Sequence, residues 1–167
     1  RAGSAINDNA ANGTVAVGKS ALLALTSGAG NTAVGYQAGD ALTDTGNNTI
    51  LGYTTGTLLD SANNTLIGSL CATALTTGEN NTAVGYGSLN GAAADADYNV
   101  CVGSRAGNSI ADGNFNTVIG GNADTGSADS VNQTAIGYLT TAVDTDNSVT
   151  LGNASVTDVY MSSDSGA

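Results

Sequence analysis

At 167 residues, with 14 acidic side chains against three basic ones and a formal net charge of −11, the chain lacks the cationic surface that nucleic-acid phosphates and anionic lipid headgroups require. Apolar residues make up 41% of it, but they are mainly alanine and branched aliphatics, with one Phe and no Trp. That palette excludes a large globular core and suits many thin layers, each burying a few side chains against its neighbours. No apolar run approaches the roughly 18 residues of a membrane span.

The chain opens on Arg1-Ala-Gly-Ser-Ala-Ile6, which matches the Arg-Ala-Gly and Ile of Arg105 to Ile110. It therefore starts in mid-repeat and without Met, as expected of a segment from a longer chain. From there one pattern recurs, and a fixed period takes precedence over any local reading. A glycine preceded by a branched aliphatic residue stands at Gly18, Gly35, Gly52, Gly68, Gly85, Gly103, Gly120, Gly137 and Gly152, at spacings of 17, 17, 16, 17, 18, 17, 17 and 15 residues. The aliphatic residue is Val17, Val34, Leu51, Ile67, Val84, Val102, Ile119, Ile136 and Leu151. Two places earlier lies a β-branched residue in every repeat: Val15, Thr32, Thr49, Thr65, Thr82, Val100, Thr117, Thr134 and Val149. Residues two apart share a strand face, and β-branching suits a pleated surface. A short β-strand is expected in each of about nine coils.

The residue between these two is Ala16, Ala33, Ile50, Leu66, Ala83, Cys101, Val118, Ala135 and Thr150, so both strand faces are apolar. A strand apolar on both faces is covered on both, yet a thin roll has one interior. The expectation is that the flanking columns point into the roll while the middle column, Ala83 among it, meets another copy of the chain.

After each glycine a small residue follows at the third place (Ala21, Ala38, Thr55, Cys71, Ser88, Ala106, Ala123, Thr140), and in most coils an aliphatic at the seventh (Leu25, Leu42, Leu59, Leu75, Ile110). This segment is expected to return the chain across the roll as a second short strand, followed by a polar turn. Four residues before each glycine stands Asn31, Asn48, Asn64, Asn81, Asn99 or Asn116, with Gln133 next in the column. Stacked amides can bond one another and cap the turns. Helical spacings do not recur and glycine punctuates every repeat, which argues against helices. The fold class is all-β: a parallel β-solenoid of about nine coils with a repeat of about 17 residues. It is expected to occupy residues 1–152, and residues 153–167, where the period breaks, are expected to form a junction toward a following domain.

The words Asn-Thr-Ala-Val-Gly-Tyr (31–36 and 81–86), Asn-Thr-Ile-Leu-Gly-Tyr (48–53), Asn-Thr-Leu-Ile-Gly (64–68) and Asn-Thr-Val-Ile-Gly (116–120) resemble the repeat arrays of bacteriophage tail fibres. They also resemble the related heads of YadA-like trimeric autotransporter adhesins. The resemblance spans residues 1–152 and implies a left-handed parallel β-roll assembled as a parallel homotrimer. It implies a structural or adhesive fibre module in a virion tail fibre or at a cell surface, with a host-surface glycan or protein as receptor. The coil is longer than that of the adhesin head, and the extended wording is closer to the phage arrays. A bacterial adhesin head is the alternative.

Chemistry is sparse. With no His, a single Glu and no nucleophile-elbow serine, no catalytic, cofactor-binding or metal-ligating residue is assigned, and the chain is not read as an enzyme. Asp95-Ala-Asp97 and Asp144-Thr-Asp146 match neither an EF-hand nor a calcium-solenoid motif and are read as solvated turn acids. Tyr36, Tyr53, Tyr86 and Tyr138 each follow a key glycine, in a column interrupted by Ser69, Ser104 and Gly121. They are read as packing over an edge ahead of stacking on sugars. Cys71 and Cys101, two coils apart and at different phases, are read as buried small residues rather than a disulfide. A regular threonine column also raises an ice-binding solenoid as a lesser alternative. It is set behind the fibre because the same-face neighbour of each threonine is aliphatic, which turns that column inward.

Overall fold

The structure is a computed structural model that describes residues 1–4, 12–91 and 95–159. Nine three-residue strands recur at the expected places: β1 Val15–Val17, β2 Thr32–Val34, β3 Thr49–Leu51, β4 Thr65–Ile67, β5 Thr82–Val84, β6 Val100–Val102, β7 Thr117–Ile119, β8 Thr134–Ile136 and β9 Val149–Leu151. They form one sheet in sequence order, β1 to β9, every neighbour parallel and in register, so that Thr32 pairs with Thr49 and Ala33 with Ile50. This is a parallel β-solenoid. The chain advances one layer per coil, about 4.8 Å, so the eight intervals span roughly 40 Å.

The orientation of the strands reverses the sequence expectation. Ala33, Ile50, Leu66, Ala83, Cys101, Val118 and Ala135, the middle residues, are buried inside the roll. The flanking columns face outward, with Val17 54% exposed, Leu51 44% and Ile136 39%. The reason is volume. The residue four places after the glycine comes across the interior toward a middle strand residue, of its own coil or of the next. A Cβ on Gly39 would lie 2.7 Å from Ile50 Cδ1, one on Gly56 3.0 Å from Leu66 Cδ1, and one on Gly107 2.4 Å from Cys101 Sγ. At two other coils that place holds Leu22 or Leu89, both fully buried. A close-packed narrow interior leaves little spare volume, and the middle column varies in size from Ala to Ile and Leu against the residues that face it. The flanking columns, uniformly β-branched or aliphatic, do not.

The return segment is also not a strand. It is a run of turns in which the second and fourth residues after the glycine hold positive φ, as at Leu70 (57°) and Ala72 (49°). Its amides bond neighbouring coils rather than a flat ladder: Leu22 N donates to Ala38 O at 3.0 Å and Gln37 N to Lys19 O at 3.0 Å. The small third residue and the aliphatic seventh (Leu25, Leu42, Leu59, Leu75, Ile110) complete the core. Gly3 N donates to Ala21 O at 2.8 Å, as Gly39 N does to Thr55 O at 3.0 Å, so the first residues take the place in the coil that their match to Arg105–Gly107 indicated. Ala5 and Ile6 of that match, and residues 160–167 of the junction segment, lie outside the described residues.

Two devices hold the coils in register. At the key glycine the backbone runs at φ near 140° and the next coil passes close by: a Cβ on Gly85 would lie 2.3 Å from Gly103 O. Beside the strand, the asparagine column is a buried ladder. Asn81 Oδ1 accepts from Asn99 N at 2.9 Å and from Asn99 Nδ2 at 3.2 Å. Asn81 Nδ2 donates to Asn64 Oδ1 at 3.1 Å and to the turn carbonyl Ala96 O at 2.7 Å. Gln133 ends the column: its N donates to Asn116 Oδ1 at 2.8 Å, and its longer side chain reaches Val143 O and Thr145 O.

Candidate interaction surface

The outward sheet face is built from the two flanking columns. On one side run Thr32, Thr49, Thr65, Thr82, Thr117 and Thr134, with Val15, Val100 and Val149 in the same column. On the other run the nine aliphatic residues from Val17 to Leu151. In-register pairing stacks Thr on Thr at several levels and aliphatic on aliphatic at every one, so the face is a striped surface, one stripe purely aliphatic.

Aromatic rings border this face at both strand ends. At the C-terminal end, Tyr36 and Tyr53 stack with centroids 5.3 Å apart and planes at 16°, and Lys19 Nζ lies 5.8 Å from the Tyr36 centroid. Tyr86 and Tyr138 stand exposed in the same column, so four tyrosines yield one stacked pair. At the N-terminal end, Tyr98 and Phe115 stack at 5.1 Å and 12°, a pair that sequence reading passed over. Both stand two residues before a strand, a place held elsewhere by Gly13, Gly30, Asn47, Asn63, Asn80, Asn132 and Asn147, all at positive φ. Tyr98 (55°) and Phe115 (61°) keep that conformation, which a bulky side chain rarely adopts. Ring-on-ring contact, worth about 0.5–1.5 kcal/mol beyond burial, offsets part of that strain. Two aromatics one coil apart at a place otherwise reserved for Gly and Asn were the available signal.

Of the turn acids, Asp95, Asp97 and Asp146 accept from backbone and hydroxyl donors of adjacent coils. Glu79 N donates to Asp97 Oδ1 at 2.7 Å, Val131 N to Asp146 Oδ1 at 2.8 Å, and Thr77 Oγ1 to Asp95 Oδ1. Among the described residues no group of three or more His, Cys, Asp or Glu is placed to hold a metal ion, and no helix is long and apolar enough to cross a membrane. Cys71 and Cys101 are free and buried. Burial pushes the Cys71 thiol up to about 12 and raises Cys101 as well, with the Asp124 carboxylate adding to it. Such thiols are poor nucleophiles.

The flank carries a notch of about 270 Å³ lined by Leu70, Tyr86, Gly87, Asn90, Arg105 and Asn108. Comparison with protein-family models, curated proteins and solved structures finds no match to this chain.

Proposed function

We propose that the chain is a structural and adhesive fibre module, a self-associating β-solenoid that serves as shaft or head of a phage tail fibre and holds or supplies a host-receptor contact. The observation that carries this is the exposed aliphatic stripe on an in-register, layered sheet face. At roughly 40 Å by about 10 Å, the face has the size of the largest patch on a typical soluble monomer, about 300–600 Å² and often functional. A cover for it has to match the layer spacing over nine strands, and another copy in parallel register does so by construction. The resemblance of the repeat words to tail-fibre arrays and YadA-like heads favours three copies around one axis, left-handed rolls and an extracellular or virion setting. The same interface serves the bacterial-adhesin alternative.

With the sheet oriented as described above, the contact belongs to the flanking columns, Val84 among them, and Ala83 belongs to the core. Light scattering of the purified segment at micromolar concentration is expected to give a trimer. Val84→Asp, which places three like charges in the contact, is expected to give monomer that retains its β-type circular dichroism. A well-folded wild-type monomer, or an undiminished Val84→Asp trimer, rules the reading out.

The outward threonine column supports a second reading, because the ground for setting ice binding aside was that those threonines point inward. Thr49 is exposed, in a column at the regular layer spacing. Its same-face neighbour Leu51 is aliphatic rather than a second threonine, which keeps the fibre ahead. Thermal hysteresis in wild type, lost in Thr49→Tyr, would put ice binding first.

A further inference from the structure

The notch on the flank has a composition that the repeat does not require. The second residue after each glycine forms a column of Ser20, Gln37, Thr54, Leu70, Gly87, Arg105, Asn122 and Leu139, all at φ between 49° and 62°. Seven of these eight places carry a side chain at that φ, so the backbone does not call for glycine at Gly87. Space does not call for it either. A Cβ built there meets only Arg105 Cγ, at 3.7 Å, an ordinary contact. What Gly87 does is remove one side chain from a continuous wall, leaving a gap with Leu70 on one side and Arg105 on the other.

The groups around that gap are complementary to a particular ligand. Arg105 is the one cation between Lys19 and the end of a chain with 14 acids. Its side chain is exposed, and it makes no ion pair or hydrogen bond with another described residue. Tyr86, half exposed, supplies a ring wall, and Leu70 an apolar one. Asn90 Oδ1 is taken by Thr73, whose N donates to it at 2.9 Å and whose Oγ1 also donates to it. The Asn90 amide is thereby oriented, and its Nδ2 makes no hydrogen bond to another described residue. Asn108 is exposed and lies one coil further on, in the same column as Asn90.

We propose that this notch binds a saccharide carrying a carboxylate on its ring, a uronate. The guanidinium fork of Arg105 takes the carboxylate, the Tyr86 ring packs against a face of the pyranose, and the Asn90 and Asn108 amides bond ring hydroxyls. The volume suits one sugar unit, being below the roughly 300–1,000 Å³ that encloses larger ligands. A binding site repeated on each copy of an array gains strength by multivalency, so a weak single contact is sufficient. The proposal gives the host-contact reading a ligand class and rests on that reading for its biological setting. The binding itself is a property of one flank of one chain and is measured whatever the number of associated copies.

The test is titration calorimetry with digalacturonate, its dimethyl ester and neutral digalactoside, each against the whole segment with its assembly state followed by light scattering. Wild type is expected to bind digalacturonate with millimolar affinity or better, and the two uncharged sugars at least about tenfold more weakly. Arg105→Gln is expected to abolish this preference and Lys19→Gln to leave it intact. Gly87→Leu is expected to close the notch and eliminate binding in a chain that still folds, its melting temperature lowered only by the strain of a side chain at φ 58°, since Leu70 and Leu139 already occupy that column. Absence of digalacturonate binding by folded wild type, equal binding of the ester, or full binding by Arg105→Gln overturns the proposal. A monomeric wild type that binds digalacturonate leaves this site standing and removes only the fibre assembly.

Discussion

The two faces of the same strands differ in a way that hydrophobicity does not register. Thr82, Ala83 and Val84 are all compatible with burial, yet Ala83 is fully enclosed while its two neighbours face outward. What separates the faces is correlation across the roll. The inward column varies in size against the return segment, the large Ile50 and Leu66 lying against Gly39 and Gly56, whereas the outward columns stay β-branched or aliphatic from coil to coil. An interior is recognised by compensation among unlike residues, and a surface built for a repetitive contact by uniformity. Mutations can be ranked against that rule by their effect on a single chain.

The largest effect is expected from Ala83→Asp. A carboxylate at this enclosed site has no partner within reach, and an unpaired buried charge costs several kcal/mol (about 3–5) even after relaxation. Chemical denaturation should show the chain unfolded or its midpoint sharply lowered, with protection against proteolysis lost first around β4 to β6. Retention of the wild-type midpoint would mean that Ala83 faces outward after all.

Next is Asn81→Leu, which tests whether the interior tolerates an apolar substitute at the edge of the sheet. The change removes the partner of Asn99 N, Asn64 Oδ1 and Ala96 O. Each buried polar group left unsatisfied costs about 1–3 kcal/mol, so a loss of about 3 kcal/mol or more is expected in the unfolding free energy, despite the gain in apolar volume. A neutral or stabilised variant would show that the ladder serves register alone.

These two sites also mark how far the sequence could be read. Asn81 was legible as part of a stacked ladder because amides at a fixed phase have few other uses. The strand Thr82–Val84 was legible in place, length and parallel pairing because β-branching and glycine recur with the coil. The side it turns inward was read the wrong way round, because every residue on either face is apolar or β-branched and alternation alone offers no polar face. The information lay between segments, in pairs such as Gly39 with Ile50. The return segment was missed as a turn run because positive φ at Leu70, Ala72 and Leu89 contradicts the local preference of those residues and is imposed by bonding to adjacent coils. The notch was hidden for a similar reason: in so glycine-rich a sequence Gly87 draws no notice until its column is seen to carry side chains elsewhere.

The compensation rule itself is tested by a smaller effect. Gly39→Ala places a methyl 2.7 Å from Ile50 Cδ1, and overpacking of this kind costs about 1–3 kcal/mol. Ile50→Val deletes that Cδ1 and alone costs about 0.5–1.5 kcal/mol. Combined, the two should be less damaging than their sum by about 1 kcal/mol, the coupling expected of residues that share a space. Strict additivity in urea denaturation would show that the pairing of Gly39 with Ile50 is coincidental.

The smallest effect, and the sharpest on orientation, is expected from Thr49→Val. The swap replaces a hydroxyl by a methyl at nearly constant volume, and Val15, Val100 and Val149 already stand in that column. If Thr49 pointed into the core, the loss of a buried hydroxyl would raise stability by about 1 kcal/mol or more. Facing outward, as its exposure shows, it should change the unfolding free energy of a single chain by less than about 0.5 kcal/mol. Self-association would obscure the comparison, because binding to the folded state stabilises it by mass action. The measurement therefore belongs in a Val84→Asp background, two coils away from Thr49, at a concentration where light scattering shows monomer. In the associating background the same substitution should instead strengthen assembly, since it adds apolar surface to the contact and nothing to the core. A rise of about 1 kcal/mol in the monomer, with assembly unchanged, would return the threonine column to the interior and the interface to the middle of the strand.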